Sequence, residues 1–383
     1  MGRGRIFDLG DRWVLQTPKR ILCLVGTRPE CIKMAPIIRL LQQQDWAEPV
    51  VVSTGQHREM VRQILGLFQI EIDHDLDVMV ANQTLSGLSS RIFATFDPLL
   101  ERKRFDLILV QGDTTSVMVA ALTAFYHGIP VGHVEAGLRT HDIERPFPEE
   151  LNRVVTGLVA KLHFAPTASA QANLLREGKE PSSVHVTGNT VIDALLSMAS
   201  RDVPCTFPTR PDRRLVLVTA HRRENFGAPI RDICAAIRDL HDRFADLEFV
   251  YPVHPNPNIH GPVHDILGDL PRVSLIPPAD YQTLVTLMKR STLILTDSGG
   301  IQEEAPALGK PVLVLRDETE RPEAVEAGVA RLVGAQRERI LAEAIKLLTI
   351  QDEYSRMSRG ISPYGDGAAA ERIVALCRQF LSR

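Results

Sequence analysis

Nine consecutive residues, Thr296-Asp297-Ser298-Gly299-Gly300-Ile301-Gln302-Glu303-Glu304, follow the apolar run Leu293–Leu295. A strand passing into a helix in this way leaves the first amides of the helix without partners. Two glycines let an anion approach that main chain, so the stretch suits phosphate oxygens, and Glu304, one turn in, can reach ribose hydroxyls. A capped helix with an acidic first turn is the plainer account. Gly-Gly at a helix start, however, costs stability that a cap alone does not require. Thr219-Ala220-His221-Arg222-Arg223-Glu224-Asn225 closes another apolar run with a histidine and two forked cations, a set that suits a pyrophosphate. Gly26-Thr27-Arg28-Pro29-Glu30 closes the first run. It can offer backbone amides, the Arg28 guanidinium and then Lys33 to an anion, or serve only as a tight turn with solvated charges.

Three carboxylates stand in comparable places. Asp113, in Gly112-Asp113-Thr114-Thr115-Ser116, sits where the next helix would be capped, and capping is the stronger reading of it alone. Glu135, in His133-Val134-Glu135-Ala136-Gly137-Leu138-Arg139, stands at a strand end. Burial beside another carboxylate would raise its pKa enough for proton transfer at neutral pH, whereas a charge pair with Arg139 would make it structural. Glu149 and Glu150 follow Pro146-Phe147-Pro148, and acidic residues in a first helical turn are accounted for by the helix dipole alone.

Elements that position such residues must end in short turns. The apolar runs Ile21–Val25, Val50–Val52, Leu107–Val110, Val131–Val134, Leu215–Val218, Phe249–Val253, Leu293–Leu295 and Val312–Leu315 are short and rich in β-branched residues. They suit buried parallel strands, and stretches of helical spacing alternate with them. Ile32, Pro36, Ile37 and Leu40 share one helical face, as do Val117, Ala120, Ala121 and Ala124. The pattern predicts an α/β fold of two doubly wound, Rossmann-like domains facing a central cleft, with ligand beyond the carboxyl ends of the strands. Residues 1–19 read as a loose tail, and the linker is expected between Gly188 and Asp212, where Arg201–Pro211 is rich in proline and polar residues.

With 44 basic and 47 acidic residues the net charge is −3, and no basic tract marks a nucleic-acid partner. No apolar run is long enough for a membrane span. Cys23, Cys31, Cys205, Cys234 and Cys377 are scattered and form no CxxC pair, which fits a reducing, cytoplasmic setting. His254, His260 and His264 lie in a proline-rich region without a metal-ligand pattern, so no metal is expected. No dinucleotide GxGxxG, P-loop or HExxH occurs.

Taken in order, GTRPECIKMAPI, TGQHREM, QGDTTS, PVGHVEAGLRT, PFPEELNR, VTGNTVIDAL, TAHRREN, YPVHPNPN, the TDSGGIQEEAPALGKPVLVLRDETERPEAVEAG stretch and SPYGDGAAAERI resemble the non-hydrolysing UDP-N-acetylglucosamine 2-epimerases of bacteria. The resemblance spans about residues 20–381. It implies the glycosyltransferase B fold, with residues 20–187 and a returning helix, 368–383, in one domain and 188–367 in a UDP-binding domain. It also implies a homodimer that interconverts UDP-N-acetylglucosamine and UDP-N-acetylmannosamine without cofactor, through elimination of UDP to 2-acetamidoglucal and re-addition. By motif, Asp113, Glu135, Glu149 and His221 resemble catalytic residues. Arg28, Lys33, Ser298, Gly299, Gly300, Glu304 and Arg321 resemble UDP-site residues. Gln56, His57 and Arg222 resemble residues near a second, activating UDP-N-acetylglucosamine. Pro277-Pro278-Ala279-Asp280-Tyr281 departs from the family's forms near the uracil pocket. A hydrolysing epimerase, a glycosyltransferase of this fold and a non-catalytic UDP-sugar sensor are the alternatives; clustered carboxylates argue against the sensor, because binding an anion gains nothing from them.

Overall fold

A computed structural model of the chain describes residues 17–55, 58–80, 82–201, 210 and 212–382. Most of the expected tail and of the Arg201–Pro211 linker lies outside the described residues, and Lys19 already belongs to the first strand. The chain packs as two compact units. One runs to Ala194 and resumes at Gly367; the other is Leu195–Asp366. The division falls inside the helix Thr190–Ala199, later than Gly188.

The first unit holds seven parallel strands: β1 (Lys19–Val25), β2 (Ala47–Ser53), β3 (His74–Asp75), β4 (Leu107–Gln111), β5 (Val131–Val134), β6 (Leu162–Ala165) and β7 (Val184–Val186). Their order is β3-β2-β1-β4-β5-β6-β7, so the winding reverses between β1 and β4. Each apolar run is buried on both faces because helices cover both. Leu22 and Leu24 of β1 join Val50, Val52, Ile108 and Val110 in one core with Ile92 and Phe96 of the helix Leu85–Arg102 and Val117, Ala120 and Ala124 of the helix Thr115–Tyr126. The helix Ala369–Leu381 belongs to this unit and packs on the helix Arg28–Gln42. Asp193 Oδ1 accepts from its Ala370 amide at 2.8 Å, and Arg372 Nη1 donates to the Thr187 carbonyl at 3.0 Å.

The second unit repeats the plan with six parallel strands: β8 (Arg214–Thr219), β9 (Leu247–Pro252), β10 (Val273–Ile276), β11 (Ser291–Thr296), β12 (Val312–Val314) and β13 (Ala330–Leu332). The order β10-β9-β8-β11-β12-β13 puts its reversal between β8 and β11. Thr219 pairs with Thr296 at the ends of those strands, and their hydroxyls hydrogen-bond at 2.6 Å. In doubly wound sheets such reversals leave a crevice at the strands' carboxyl ends.

Candidate active site

Helix and strand ends bring one acid–base cluster together at the reversal of the first sheet. The register sets Gln111 of β4 beside Val134 of β5, so Glu135 emerges next to the Gln111 side chain. Glu135 takes a left-handed φ of +63°, a strained conformation for a residue other than glycine that persists only when its surroundings hold it. Lys33 Nζ lies 2.6 and 2.7 Å from its two carboxylate oxygens, Gln111 Nε2 donates to Oε2, and Asn189 Nδ2 donates to Oε1 at 3.4 Å. Two residues on, Gly137 has φ +90°, and a Cβ there would overlap the Ala170 carbonyl.

Asp113 Oδ2 is 2.6 Å from Arg153 Nη2, whose other arm lies 3.3 Å from the buried Glu150. Burial pushes the Asp113 carboxyl above its ordinary range; Arg153 opposes this, Glu135 adds to it, Lys33 opposes it and Glu149 adds to it. All five groups therefore act in one field. Glu30 stands close enough to share it. Burial pushes the Glu30 carboxyl up to about 7, against hydrogen bonding from Thr114 and the amides of Thr27 and Gly26, and the Asp113 charge adds to the rise. His133 is buried with Nε2 2.8 Å from the Gly112 carbonyl. A carbonyl only accepts, so Nε2 carries the proton, and burial, pushing this imidazole down to about 4, keeps it neutral. His133 thus ties β5 to the loop that presents Asp113.

Several expectations change here. Asp113 is not the cap of its helix: Thr114 is, its hydroxyl accepting from the Val117 amide. Arg139 pairs with Glu177 at 2.6 and 2.9 Å rather than with Glu135. The amides of Gly26 and Thr27, read as open to an anion, already donate to Glu30 at 2.6 and 3.1 Å. Of the acidic pair at the helix Glu149–Val159, Glu150 accepts from the Thr140 and His141 amides and is structural, while Glu149 is half-buried in the first turn. Arg28, partly buried, opens the helix that carries Lys33. Gln56 and His57 lie outside the described residues.

The second unit gathers the anion-directed residues. Ser298 precedes the helix Gly299–Ala307 but its side chain bonds none of the helix amides. A Cβ at Gly299 would come no nearer than 3.7 Å to Arg222 Nη2, and one at Gly300 no nearer than 3.9 Å to Ser298 Oγ. Both are ordinary contacts, and neither glycine has a positive φ, so the protein's own packing does not require glycine there. What the pair does is bare the first amides of a helix. Glu304 is buried and accepts from the Tyr281 hydroxyl at 2.9 Å, which connects the departing Pro277–Tyr281 segment to this helix. Arg321 bonds Glu303, and Arg222 lies 3.7 Å from Glu320. His221 stacks on His254, centroids 5.9 Å apart, and its Nδ1 is 3.5 Å from Asp297 Oδ1.

One unit can therefore exchange protons and the other can hold a phosphorylated anion. Among the described residues no group of three or more His, Cys, Asp or Glu is placed to hold a metal ion, and no helix is long and apolar enough to cross a membrane. Residues 39–378 match the family model described as UDP-N-acetylglucosamine 2-epimerase. The chain belongs to that family. It is 49% identical over 365 residues to the UDP-N-acetylglucosamine 2-epimerase of Escherichia coli K12, covering 93% of this chain and 97% of that protein, and equally to the enzyme of Yersinia pestis. The crystal structure of the Neisseria meningitidis UDP-N-acetylglucosamine 2-epimerase bound to UDP-GlcNAc is 44% identical, with a TM-score of 0.83 over 94% of this chain and all of that one. As a member of this epimerase family the chain is an isomerase with the two parallel α/β sheets of the glycosyltransferase B fold.

Residues that sequence reasoning did not single out are Glu30, Gln111, Arg153, Asn189 and Asp297. Each lies within or beside a motif already noted, and the available signal was a polar residue at the end of a buried strand or one turn into the next helix.

Proposed function

We propose that this epimerase interconverts UDP-N-acetylglucosamine and UDP-N-acetylmannosamine without hydrolysis, by eliminating UDP and adding it back. The observation that carries the reading is the cluster in which burial, with Glu135 and Glu149, raises the Asp113 carboxyl while Arg153, at 2.6 Å, and Lys33 hold it down. A carboxyl raised in this way is better able to take and return a proton. The C2 hydrogen of the sugar is too weakly acidic to be removed alone. If a carboxylate takes that proton as the C1–O bond breaks, the C–H electrons form the C1=C2 bond of 2-acetamidoglucal, and the C1–O pair leaves on the β-phosphate. Protonation of C2 on the opposite face, with return of the phosphate oxygen to C1, completes the inversion. Asp113, Glu135 and Glu149 are the acid–base candidates. In the second unit the amides of Gly299 and Gly300, with His221 and Arg321, would hold the departing diphosphate and Glu304 the ribose; in the first, Lys33 would orient Glu135.

The same reading includes a homodimer, supported by Phe125, Tyr126 and Leu158, which are 54%, 71% and 68% exposed on the adjoining helices Thr115–Tyr126 and Glu149–Val159. It includes a cytoplasmic setting, in keeping with the buried free thiols of Cys23, Cys31, Cys234 and Cys377. It also includes a second UDP-N-acetylglucosamine acting as activator. Turnover of UDP-N-acetylglucosamine in deuterated water tests the chemistry. Carboxyl protons exchange with water faster than a typical turnover, so product should carry deuterium at C2 and at no other ring carbon. Full protium at C2 in product, together with full retention of label from C2-deuterated substrate in ordinary water, would overturn elimination. Accumulation of free UDP and N-acetylmannosamine would mark a hydrolysing enzyme instead.

A further inference from the structure

Asp297 directly follows β11, and its carboxylate is wholly buried. Oδ2 accepts three hydrogen bonds, from the His221 amide at 2.8 Å, the Arg222 amide at 2.8 Å and Asn225 Nδ2 at 2.9 Å. Those three donors lock the carboxylate's orientation and fold the loop after β8 around it. The Tyr251 hydroxyl steadies the loop's start by donating to the Ala220 carbonyl at 2.8 Å. Oδ1, equally buried, makes no hydrogen bond, and His221 Nδ1 lies 3.5 Å from it. A buried carboxylate oxygen without a donor is costly, and closing that gap by a few tenths of an ångström supplies one. The His254 ring, 15° from parallel with the His221 ring, restricts how His221 can turn.

We propose that Asp297 is a positioning residue for His221: Oδ1 takes the hydrogen on Nδ1, which fixes the ring's rotation and stabilises the imidazolium formed when Nε2 gains a proton and donates it in a hydrogen bond to a bound diphosphate. The inference rests on the reading above in one respect, that His221 meets the diphosphate. A loop clamp alone would need only Oδ2. The distinction is chemical, because in Asp297→Asn the amide oxygen can still take the three loop donors while its NH2 faces Nδ1. That forces the hydrogen of a neutral ring onto Nε2.

Nitrogen-15 NMR of histidine-labelled protein, with His221→Gln used to assign the signal, should show neutral His221 protonated at Nδ1 in the wild type and at Nε2 in Asp297→Asn. A wild-type ring protonated at Nε2 overturns the proposal whether or not the variant folds. UDP affinity and kcat/KM should fall at least about tenfold in Asp297→Asn, but less than about twofold further when the change is made in His221→Gln. An equal fall in both backgrounds would reduce Asp297 to a clamp. Absence of epimerase turnover in the wild type would instead sink the proposed function, leaving the tautomer and the UDP-affinity cycle to decide this point.

Discussion

Changing Glu30 to glutamine should make the protein's stability less sensitive to alkali. The carboxyl ordinarily titrates near 4.5 and in the fold near 7, chiefly because it is buried. Below pH 4.5 it is protonated in both folded and unfolded chains and costs nothing. As pH rises the unfolded chain releases the proton first, so stability falls by about 1.4 kcal/mol per pH unit until the folded carboxyl also ionises near pH 7. The full loss from this one group is about 3 kcal/mol, complete by pH 8. In Glu30→Gln the amide oxygen can still accept from Gly26 and Thr27, and there is no charge to bury. Urea unfolding of both proteins between pH 4 and 8, read by Trp46 fluorescence in a Trp13→Phe background, should show the variant gaining about 3 kcal/mol relative to its parent across that range. Trp46 is a suitable reporter because it adjoins β1, its carbonyl accepting from the Lys19 amide at 2.7 Å. Adding Asp113→Asn to the parent should move the step to lower pH, since the Asp113 charge helps to raise Glu30. Parallel curves for parent and variant, or a variant that loses relative stability as pH rises, would refute the argument.

Asp113→Asn should cut turnover ~10²–10⁴-fold with little change in melting temperature, whereas Thr114→Ala, which removes the helix cap, should cost about 1 kcal/mol of stability; near-normal turnover in Asp113→Asn would return that residue to a structural role. UDP alone should raise the melting temperature, because a ligand bound only by the native state stabilises it, and Gly300→Ala should shrink the rise. An equal response to GDP, or none at millimolar UDP, would count against the helix start as a nucleotide site.

The strands that sequence reading found are those with unbroken apolar runs, such as Ile21–Val25 and Leu293–Leu295, because a strand covered on both faces needs no polar residue. β6 escaped notice because His163 interrupts Leu162–Ala165, and the sheet buries that imidazole anyway. β3, β7, β10 and β13 lie toward or at sheet edges, are short or carry polar residues such as Ser274 and Arg331, and so lack the pattern. At the candidate site, the motif glycines and acids at strand ends were legible locally. Their partners were not. Lys33, read as an anion ligand, also meets Glu135, a contact the sequence did not announce; Arg139 read as the partner of Glu135 and instead meets Glu177. Such pairings depend on which parallel strands are neighbours and on their register, as with Gln111 opposite Val134, and neighbours in a parallel sheet are separated by whole helices in the chain.

The helix Ala369–Leu381 gives the first unit a discontinuous origin. Synthesis from the amino terminus lays down all seven strands of that unit and then the whole of Leu195–Asp366 before the residues that seat against Asp193 and Thr187 are made. The second unit is uninterrupted and can close on itself while the first still lacks a wall. The nascent first sheet must therefore wait with the flank of Arg28–Gln42 uncovered, and a chain interrupted after Asp366 would leave its inserted half finished and its founding half open.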